Sequence, residues 1–193
     1  RLHPQSSYLV AKIVDDEIPS ATGCAEYTEI VSWDDLAEQF DFENYTKVAK
    51  PYKEAWYIKK RYFDHPKYNY NVFGIKKSDG KVGLLLIFRV ISVNDHNIVR
   101  LVDCIGDFST IKNISNVIDD VLNKYKAEYV DCYEIGLPDE LMIDSGWKKT
   151  EGSGNIIPNY FAPFTQENID IFYFSSDPEI VLFKGDGDQD RPN

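Results

Sequence analysis

Three aspartates stand at alternate positions near the end of the chain, at Asp186, Asp188 and Asp190. Carboxylates with this spacing begin an EF-hand loop, so calcium binding is the chemistry that they could support. Counted from Asp186, the sixth position of such a loop requires glycine, but Arg191 stands there. The glutamate of the twelfth position has no counterpart in this sequence. The spacing therefore predicts no calcium site, and residues 184–193 are interpreted as a solvated acidic tail.

The cysteines and histidines do not suggest a metal site either. Cys24, Cys104 and Cys132 are widely spaced, and the three histidines are isolated, so no pair has the spacing of zinc ligands. Cys104 and Cys132 lie in apolar runs, where buried reduced thiols are the simplest interpretation. Reduced thiols and the lack of an evident export signal predict a cytoplasmic protein.

Two carboxylates lie inside apolar strand-like runs, where a charge needs a partner. Strict alternation in "IVRLVDCIG" places Asp103 on the same face as Leu101, so Asp103 must be paired or lie at a strand end. A cross-strand ion pair with Arg89 would satisfy it, either as a structural pair or within a substrate site. Glu134 in "AEYVDCYEIG" could act as a general base with a raised pKa, or could face solvent at the end of its strand.

The elements that must position these side chains are clearest in the middle of the chain. "NVFGIKK", "KVGLLLIFRVISV" and "IVRLVDCIG" predict an antiparallel meander, with Gly80 in the first turn. A single long helix follows, capped by Asp107 or Ser109, with apolar residues at i, i+3 and i+4 spacing. "AEYVDCYEIG" predicts a buried strand, and "LPDELMIDSGW" predicts a short helix that ends at Gly146.

The flanking segments predict further strands and helices. Two short strands, as a hairpin, are expected near the start, and "SWDDLAEQFD" predicts a helix capped by Ser32. "NIDIFYFSS" and "EIVLFKGDG" predict strands near the end. The whole order predicts an α+β (mixed α/β) fold, with a mostly antiparallel central sheet flanked by helices.

Composition and charge exclude several classes of partner. The chain has 193 residues, 43% of them hydrophobic, which suits one globular domain with a full core. Its net charge of −11 argues against binding to nucleic acid or to anionic membranes, since both need clustered lysine and arginine. No apolar run is long enough to span a membrane.

The order of elements resembles that of the GNAT acetyltransferase superfamily. The likeness covers roughly residues 33–174, where "LVDCIGDFSTIKNISNVIDDVLNKY", "AEYVDCYEIG" and "LPDELMIDSGWKK" occupy the family's places in order. Gly146 and Trp147 match its Gly-aromatic pair. "WYIKKRYFDHPKYNY" followed by "GLLLIFRV" is similar to GNAT proteins of bacterial surface-polysaccharide biosynthesis. The resemblance implies a GNAT-like domain over residues 31–183, after a strand-rich extension over residues 1–30.

The resemblance also implies a binding site for the pyrophosphate of acetyl-CoA, between the splayed strand and the long helix. Backbone amides and a helix dipole would hold the phosphates there. The corresponding stretch, "CIGDFSTIK", has one glycine and an acidic residue, Asp107, which would repel a pyrophosphate. The alternative is that this stretch only caps a helix. The cofactor-binding candidates are Cys104, Ile105, Gly106, Ser109, Thr110 and Lys112.

The family's general acid is often a tyrosine on the short helix, and Met142 stands at that position. Met142 cannot donate a proton, so Tyr160 and Tyr133 become the candidate donors, beside Glu134 as a candidate base. By resemblance, the segment before the meander would line a sugar or amine site. Its candidate residues are Trp56, Tyr62, His65, Tyr68 and Tyr70. The alternative is that these aromatic side chains only pack a helix.

Two functions remain open from the sequence. The first is acyl-CoA-dependent N-acetylation of a small amine, with acetyl-CoA as co-substrate and an amino sugar of surface polysaccharide as a candidate acceptor. The second is a non-catalytic GNAT-like binding module that has lost the pyrophosphate loop, so activity as an enzyme is left open. The apolar C-terminal strands also predict pairing with a second subunit as a homodimer.

Overall fold

A computed structural model describes the backbone of residues 3–4 and 6–11 and all atoms of residues 23–157, 167–168 and 171–187. The strands are β1 (His3–Pro4), β2 (Ser6–Ala11), β3 (Tyr27–Ile30), β4 (Asn71–Lys76), β5 (Val82–Val93), β6 (His96–Gly106), β7 (Ala127–Ile135), β8 (Lys148–Lys149), β9 (Phe172–Tyr173) and β10 (Leu182–Phe183). The α-helices are α1 (Trp33–Gln39), α2 (Phe42–Tyr45), α3 (Ala55–Ile58), α4 (Ser115–Tyr125) and α5 (Asp139–Asp144). A π-helical turn (Lys59–Phe63) extends α3, and 3₁₀ helices cover Phe108–Asn113 and Lys184–Asp186.

The main sheet confirms the predicted fold class. Its strand order is β3-β4-β5-β6-β7-β2-β8, and β10 also pairs with β7. The pairs are antiparallel except for β6 and β7, which are parallel and are connected through α4. The meander β4-β5-β6 is confirmed, and Gly80 has the expected positive φ of 80° in its first turn. The fold is therefore a mixed α+β sheet that is mostly antiparallel and flanked by helices.

Each face of the sheet carries its own apolar core. One core lies between the sheet, α4 and α5, and its members include Phe88, Leu101, Ile118, Cys132 and Trp147. The other lies between the sheet, α1 and the α3 segment, with Leu36, Ile58, Leu85, Ile87 and Val102 among its members. Strand β5 is buried on both faces from Val82 to Phe88, because it contributes alternate residues to the two cores.

The predicted N-terminal hairpin is wrong. Strand β3 pairs with β4 at one end of the sheet, whereas β2 pairs with β7 and β8 near the other end. Both strands nevertheless belong to the main sheet. Short apolar runs show that strands exist, but strand pairing depends on tertiary contacts that the local pattern does not contain.

The single long helix predicted after β6 is divided in two. Asp107 caps the first part, since its carboxylate accepts a hydrogen bond from the Ser109 N–H at 3.1 Å. This part is the 3₁₀ helix Phe108–Asn113, and α4 starts only at Ser115. The Ser115 hydroxyl donates to the Gly23 carbonyl at 2.9 Å, so the segment before β3 packs where the two helices meet. The division thus lies where the chain makes a long-range contact.

Among the residues that the structure describes, no helix has the length and apolar character needed to cross a membrane.

Candidate functional site

Strands β6 and β7 run together at their beginnings and separate towards their ends. Their parallel pairing reaches Leu101 on β6 and Cys132 on β7. Beyond that point β7 pairs instead with β10, in antiparallel register. Residues 180–186, which we call the strap, therefore lie in the gap between the two separating strands.

The strap is fixed on several sides, so the prediction of a solvated tail is wrong for residues 184–186. The Val181 N–H donates to the Lys50 carbonyl at 2.9 Å. Lys184 and Gly185 are buried, and a Cβ built on Gly185 would lie 2.8 Å from the Val102 carbonyl oxygen of β6. Backbone contact this close requires glycine. Asp188 and Asp190 lie outside the described residues.

A β-bulge in β6 decides where Asp103 points. Ile87 of β5 faces Asp103, and the next residue, Phe88, faces Leu101, so Val102 is the extra residue. Asp103 is therefore turned away from the face of Leu101, and the face predicted from strict alternation is wrong. Bulges re-aim side chains in this way and are frequent next to active sites.

Asp103 is fully buried and belongs to a cluster that is formed with Lys53, Tyr62 and Asp186. Lys53 pairs with Asp103, and the Lys53 Nζ atom also lies 2.9 Å from Asp186 Oδ2. The Tyr62 hydroxyl donates to Asp103 Oδ2 at 2.5 Å. The predicted ion pair between Arg89 and Asp103 is wrong, since Arg89 lies over the Tyr68 ring, 4.4 Å from its centroid.

The cluster holds two carboxylates and one ammonium group in a buried environment. Burial raises the pKa of Asp103 to about 6, although the charge of Lys53 opposes this shift. Burial alone would lower the pKa of Lys53, but Asp103 and Asp186 outweigh it and raise that pKa above its ordinary value. Burial and the Asp103 charge raise the pKa of Tyr62. The cluster thus contains a carboxyl group that can exchange a proton near neutral pH.

Two neighbouring cavities lie near this cluster. The outer cleft, of about 670 Å³, lies between the strap, the turn from β7 to α5, and the segment between α2 and α3. The inner pocket, of about 20 Å³, reaches residues 104–106 of β6 and Lys53. Four residues line both cavities: Val48, Ala49, Phe108 and Val181. The cleft and the inner pocket therefore adjoin one another near the end of β6.

The predicted cofactor-binding residues lie around the inner pocket and the helix start. Cys104, Ile105 and Gly106 line the inner pocket. The Ser109 hydroxyl donates to Asp107 Oδ1 at 2.6 Å, and the Thr110 hydroxyl donates to the Asp107 carbonyl at 2.9 Å. Lys112 is exposed. The first 3₁₀ helix thus carries a carboxylate at its start, where the resemblance implied a phosphate.

The two predicted catalytic residues that the structure describes, Tyr133 and Glu134, do not come together. Tyr133 and Glu134 are adjacent in β7, so their side chains point to opposite faces of the sheet. The Lys184 Nζ atom lies 4.4 Å from the centroid of the Tyr133 ring. Glu134 is buried and accepts a hydrogen bond from the Leu137 N–H at 3.2 Å, which fixes the turn before α5. Tyr160 lies outside the described residues.

The predicted acceptor-binding residues form an aromatic group beside the cluster. Tyr70 packs edge-on against Tyr62 at 5.1 Å, His65 stacks on Tyr68 at 4.4 Å, and Trp56 is exposed. In the part of the chain that the structure describes, none of these side chains lines the cleft or the inner pocket. Their role in substrate binding stays a prediction.

The sequence analysis missed Lys53 and Asp186, although both reach the inner end of the site. Lys53 is 50 residues from Asp103 and 133 residues from Asp186 along the chain. The signal in the sequence that could have pointed to Lys53 was Asp103 itself, since a buried aspartate needs a cation or another partner. Within residues 23–157, 167–168 and 171–187, no group of three or more histidine, cysteine, aspartate or glutamate side chains could hold a metal ion.

Comparison with known proteins gives structural neighbours only. No protein-family model matches the chain, and no curated protein matches it in sequence. Three solved structures of Saccharomyces cerevisiae N-myristoyltransferase, each with bound myristoyl-CoA, match 76% of this chain. Their TM-scores are 0.45, 0.46 and 0.43, at 11%, 9% and 10% sequence identity. The chain covers 46%, 46% and 48% of the length of those three chains.

Proposed function

We propose that this chain is an acyl-CoA-dependent N-acyltransferase of the GNAT type. The observation that carries the proposal is the cleft beside the turn that follows β7, next to a small pocket that is lined by residues 104–106 of β6 and by Lys53 of the buried, ionisable cluster. A concave site that ends at side chains with shifted pKa values is the usual form of an active site. The order of elements, in which a meander, helix, buried strand and short helix follow one another, supports the same class.

In the proposed reaction the nitrogen of an acceptor amine attacks the thioester carbonyl carbon. A C–N bond forms and the C–S bond breaks. The amine nitrogen loses one proton, and the departing thiolate takes up one, so the protons balance. A backbone amide of β6 near Cys104 or Ile105 would polarise the carbonyl. The finer assignment is that the acyl group is acetyl and that the acceptor is a small amine, such as an amino sugar of surface polysaccharide. Cytoplasmic location and a homodimer belong to the same proposal.

Calorimetric titration with acetyl-CoA, a long-chain acyl-CoA and free CoA tests this proposal. Ala49 lines both cavities, so an Ala49→Trp substitution should fill part of this space and weaken acyl-CoA binding at least about tenfold. Ile143→Trp on the exposed side of α5 is the matched control, since Ile143 lines neither cavity. Absence of heat with every thioester at millimolar concentration, together with an unchanged melting temperature, would refute the proposal.

A second function is favoured by the strap and by the Asp107 cap. Residues 180–186 occupy the gap between the separating strands, and a carboxylate already occupies the start of the 3₁₀ helix. Both features suit a non-catalytic module that binds a partner or a small ligand at the cleft. If purified protein binds an acyl-CoA but releases no free thiol with any of a panel of amines, this second function is preferred.

A further inference from the structure

The strap lies directly inward from the cleft, in the gap that an extended ligand would enter. On one side β10 pairs with β7 in antiparallel register. On the other side Gly185 touches the backbone of β6 at Val102. Ile180 and Val181 form part of the cleft wall. A ligand arm extending along β6 would therefore meet the strap, and both cannot occupy the gap.

One cation holds the inner end of the strap and also neutralises a carboxylate of the sheet. Lys53 pairs with Asp186 on the strap and with Asp103 on β6. Asp103 has a second donor, the Tyr62 hydroxyl. If Asp186 leaves, Lys53 keeps a buried carboxylate partner and Asp103 keeps both of its donors. Breaking a buried ion pair is normally costly because an unpaired charge stays behind, but here none remains.

The outer end of the strap is held mainly at the surface. The Val181 N–H bonds to the Lys50 carbonyl, and the Lys50 side chain pairs with Asp177 just before the strap. The side chains of this pair are 48% and 30% exposed, so the pair contributes little to stability.

Phe183 is the strap's apolar anchor and packs in the core near α4 and α5. The strap is also held by buried Lys184, which lies over the Tyr133 ring, and by Arg61, which donates to the Gly185 carbonyl at 3.4 Å. The Asp186 ion pair is a contact between opposite charges at the inner end, and Lys53 has a second partner there.

We propose that the strap is an autoinhibitory segment, which competes with acyl-CoA for the gap between β6 and β7 and is released when the Lys53–Asp186 ion pair breaks. The identity of the ligand rests on the proposed function. Opening of the strap is a property of the chain alone, so it can be measured without any ligand.

Hydrogen–deuterium exchange on the full chain tests the release. In the wild type, strap amides should exchange faster than amides of β5, through local opening. Asp186→Asn keeps the shape of the side chain and removes its charge, so strap exchange should rise on the order of tenfold. Glu29→Gln on β3, at the far end of the sheet, is the matched control: it removes the charge of a surface ion pair with Lys124 and should exchange like the wild type in the strap. Strap amides that exchange only as slowly as β5 in both the wild type and Asp186→Asn would overturn the proposal.

Acetyl-CoA supplies the second arm of the experiment. Saturating acetyl-CoA should increase strap exchange in the wild type, and Asp186→Asn should bind it more tightly. Acetyl-CoA could bind without increasing strap exchange in the wild type and with the same affinity for both proteins. That result would overturn competition between the strap and acyl-CoA and would leave the proposed function intact. Failure of acyl-CoA to bind either protein overturns the proposed function, whereas the exchange rates still decide whether the strap opens. If Asp186→Asn does not fold, Asp186→Ser provides a second removal of the charge.

Discussion

At the scale of single residues, one extra residue in β6 decides the chemistry of the buried cluster. The bulge at Val102 turns Asp103 towards Lys53 and Tyr62 and away from the Leu101 face. Without the bulge the carboxylate would face the core beside α4, where apolar side chains offer no hydrogen bonds. The position of one backbone irregularity therefore determines which side chain the carboxylate can pair with.

Replacing Lys53 with methionine should destabilise the protein strongly. The substitution leaves Asp103 and Asp186 buried or partly buried without their cation, a loss that typically costs about 3–5 kcal/mol. Urea denaturation measures the free energy of unfolding directly. Lys124→Met is the control, because Lys124 pairs with Glu29 at the surface and should contribute less than about 1 kcal/mol. Equal effects from the two substitutions would show that the cluster does not stabilise the fold.

Asp103 should make stability depend on pH in a recognisable direction. Its pKa in the folded protein is about 6, above its ordinary value of 3.8, so the folded state binds this proton more tightly than the unfolded state. Its contribution to stability therefore increases as the pH falls through 6 towards about 4. One pKa unit corresponds to about 1.4 kcal/mol, which urea titrations can resolve.

The variant Asp103→Asn should lose this part of the pH dependence. The free energy of unfolding of the wild type, minus that of the variant, should then increase steadily as the pH falls from about 7 to about 4. Tyr62→Phe removes only the hydroxyl that donates to Asp103, so it is a control that retains the titrating carboxyl. A difference that does not change with pH would contradict the shifted pKa.

At the scale of elements, Gly106 ends β6 for a structural reason. Its φ is +129°, and a Cβ there would lie 2.2 Å from the Gly83 carbonyl oxygen on β5. The resemblance places this glycine in the stretch that would hold a pyrophosphate. In the structure, close approach between two strands already requires glycine, whether or not a ligand binds.

Gly106→Ala should therefore destabilise the protein by about 2–4 kcal/mol, from backbone strain together with the contact with β5. Gly80→Ala is the matched control, since Gly80 also has positive φ but no atom lies within 4 Å of the added Cβ. The control should lose only about 1 kcal/mol. Thermal denaturation followed by circular dichroism compares the two variants. Similar losses of stability in the two variants would show that the contact between the added Cβ and Gly83 does not destabilise the protein.

At the scale of the whole molecule, strand β2 near the start of the chain is part of the main sheet. Strand β2 lies between β7 and β8, so β7 is covered on both sides. Deleting residues 1–11 would expose a long edge of β7, and such an edge favours aggregation. We expect the truncated protein to lose stability and to associate, as measured by urea denaturation and light scattering. A monomer of unchanged stability would instead support residues 1–30 as a separate extension.

The local pattern was sufficient for the elements of the meander and for the fold class. Strand β5 and the strands beside it have continuous apolar runs, and turn residues such as Gly80 mark their ends. The local pattern did not predict that α4 begins at Ser115, where Ser115 contacts Gly23, 92 residues away along the chain. The candidate cofactor-binding residues 104–106 line the inner pocket at the end of β6, but Lys53 and Asp186 were absent from the predicted set.

The sequence by itself determined the order and type of the central elements, the acidic surface and the need of Asp103 for a partner. These follow from local spacing and composition, which act over a few neighbouring residues. Only the tertiary structure decided that Lys53 is this partner, that β2 covers β7, and that the strap fills the gap beside β6. Each of these depends on which distant segments meet in the folded chain. A buried charge accepts any cation that the fold brings within reach, so its partner cannot be read from its neighbours.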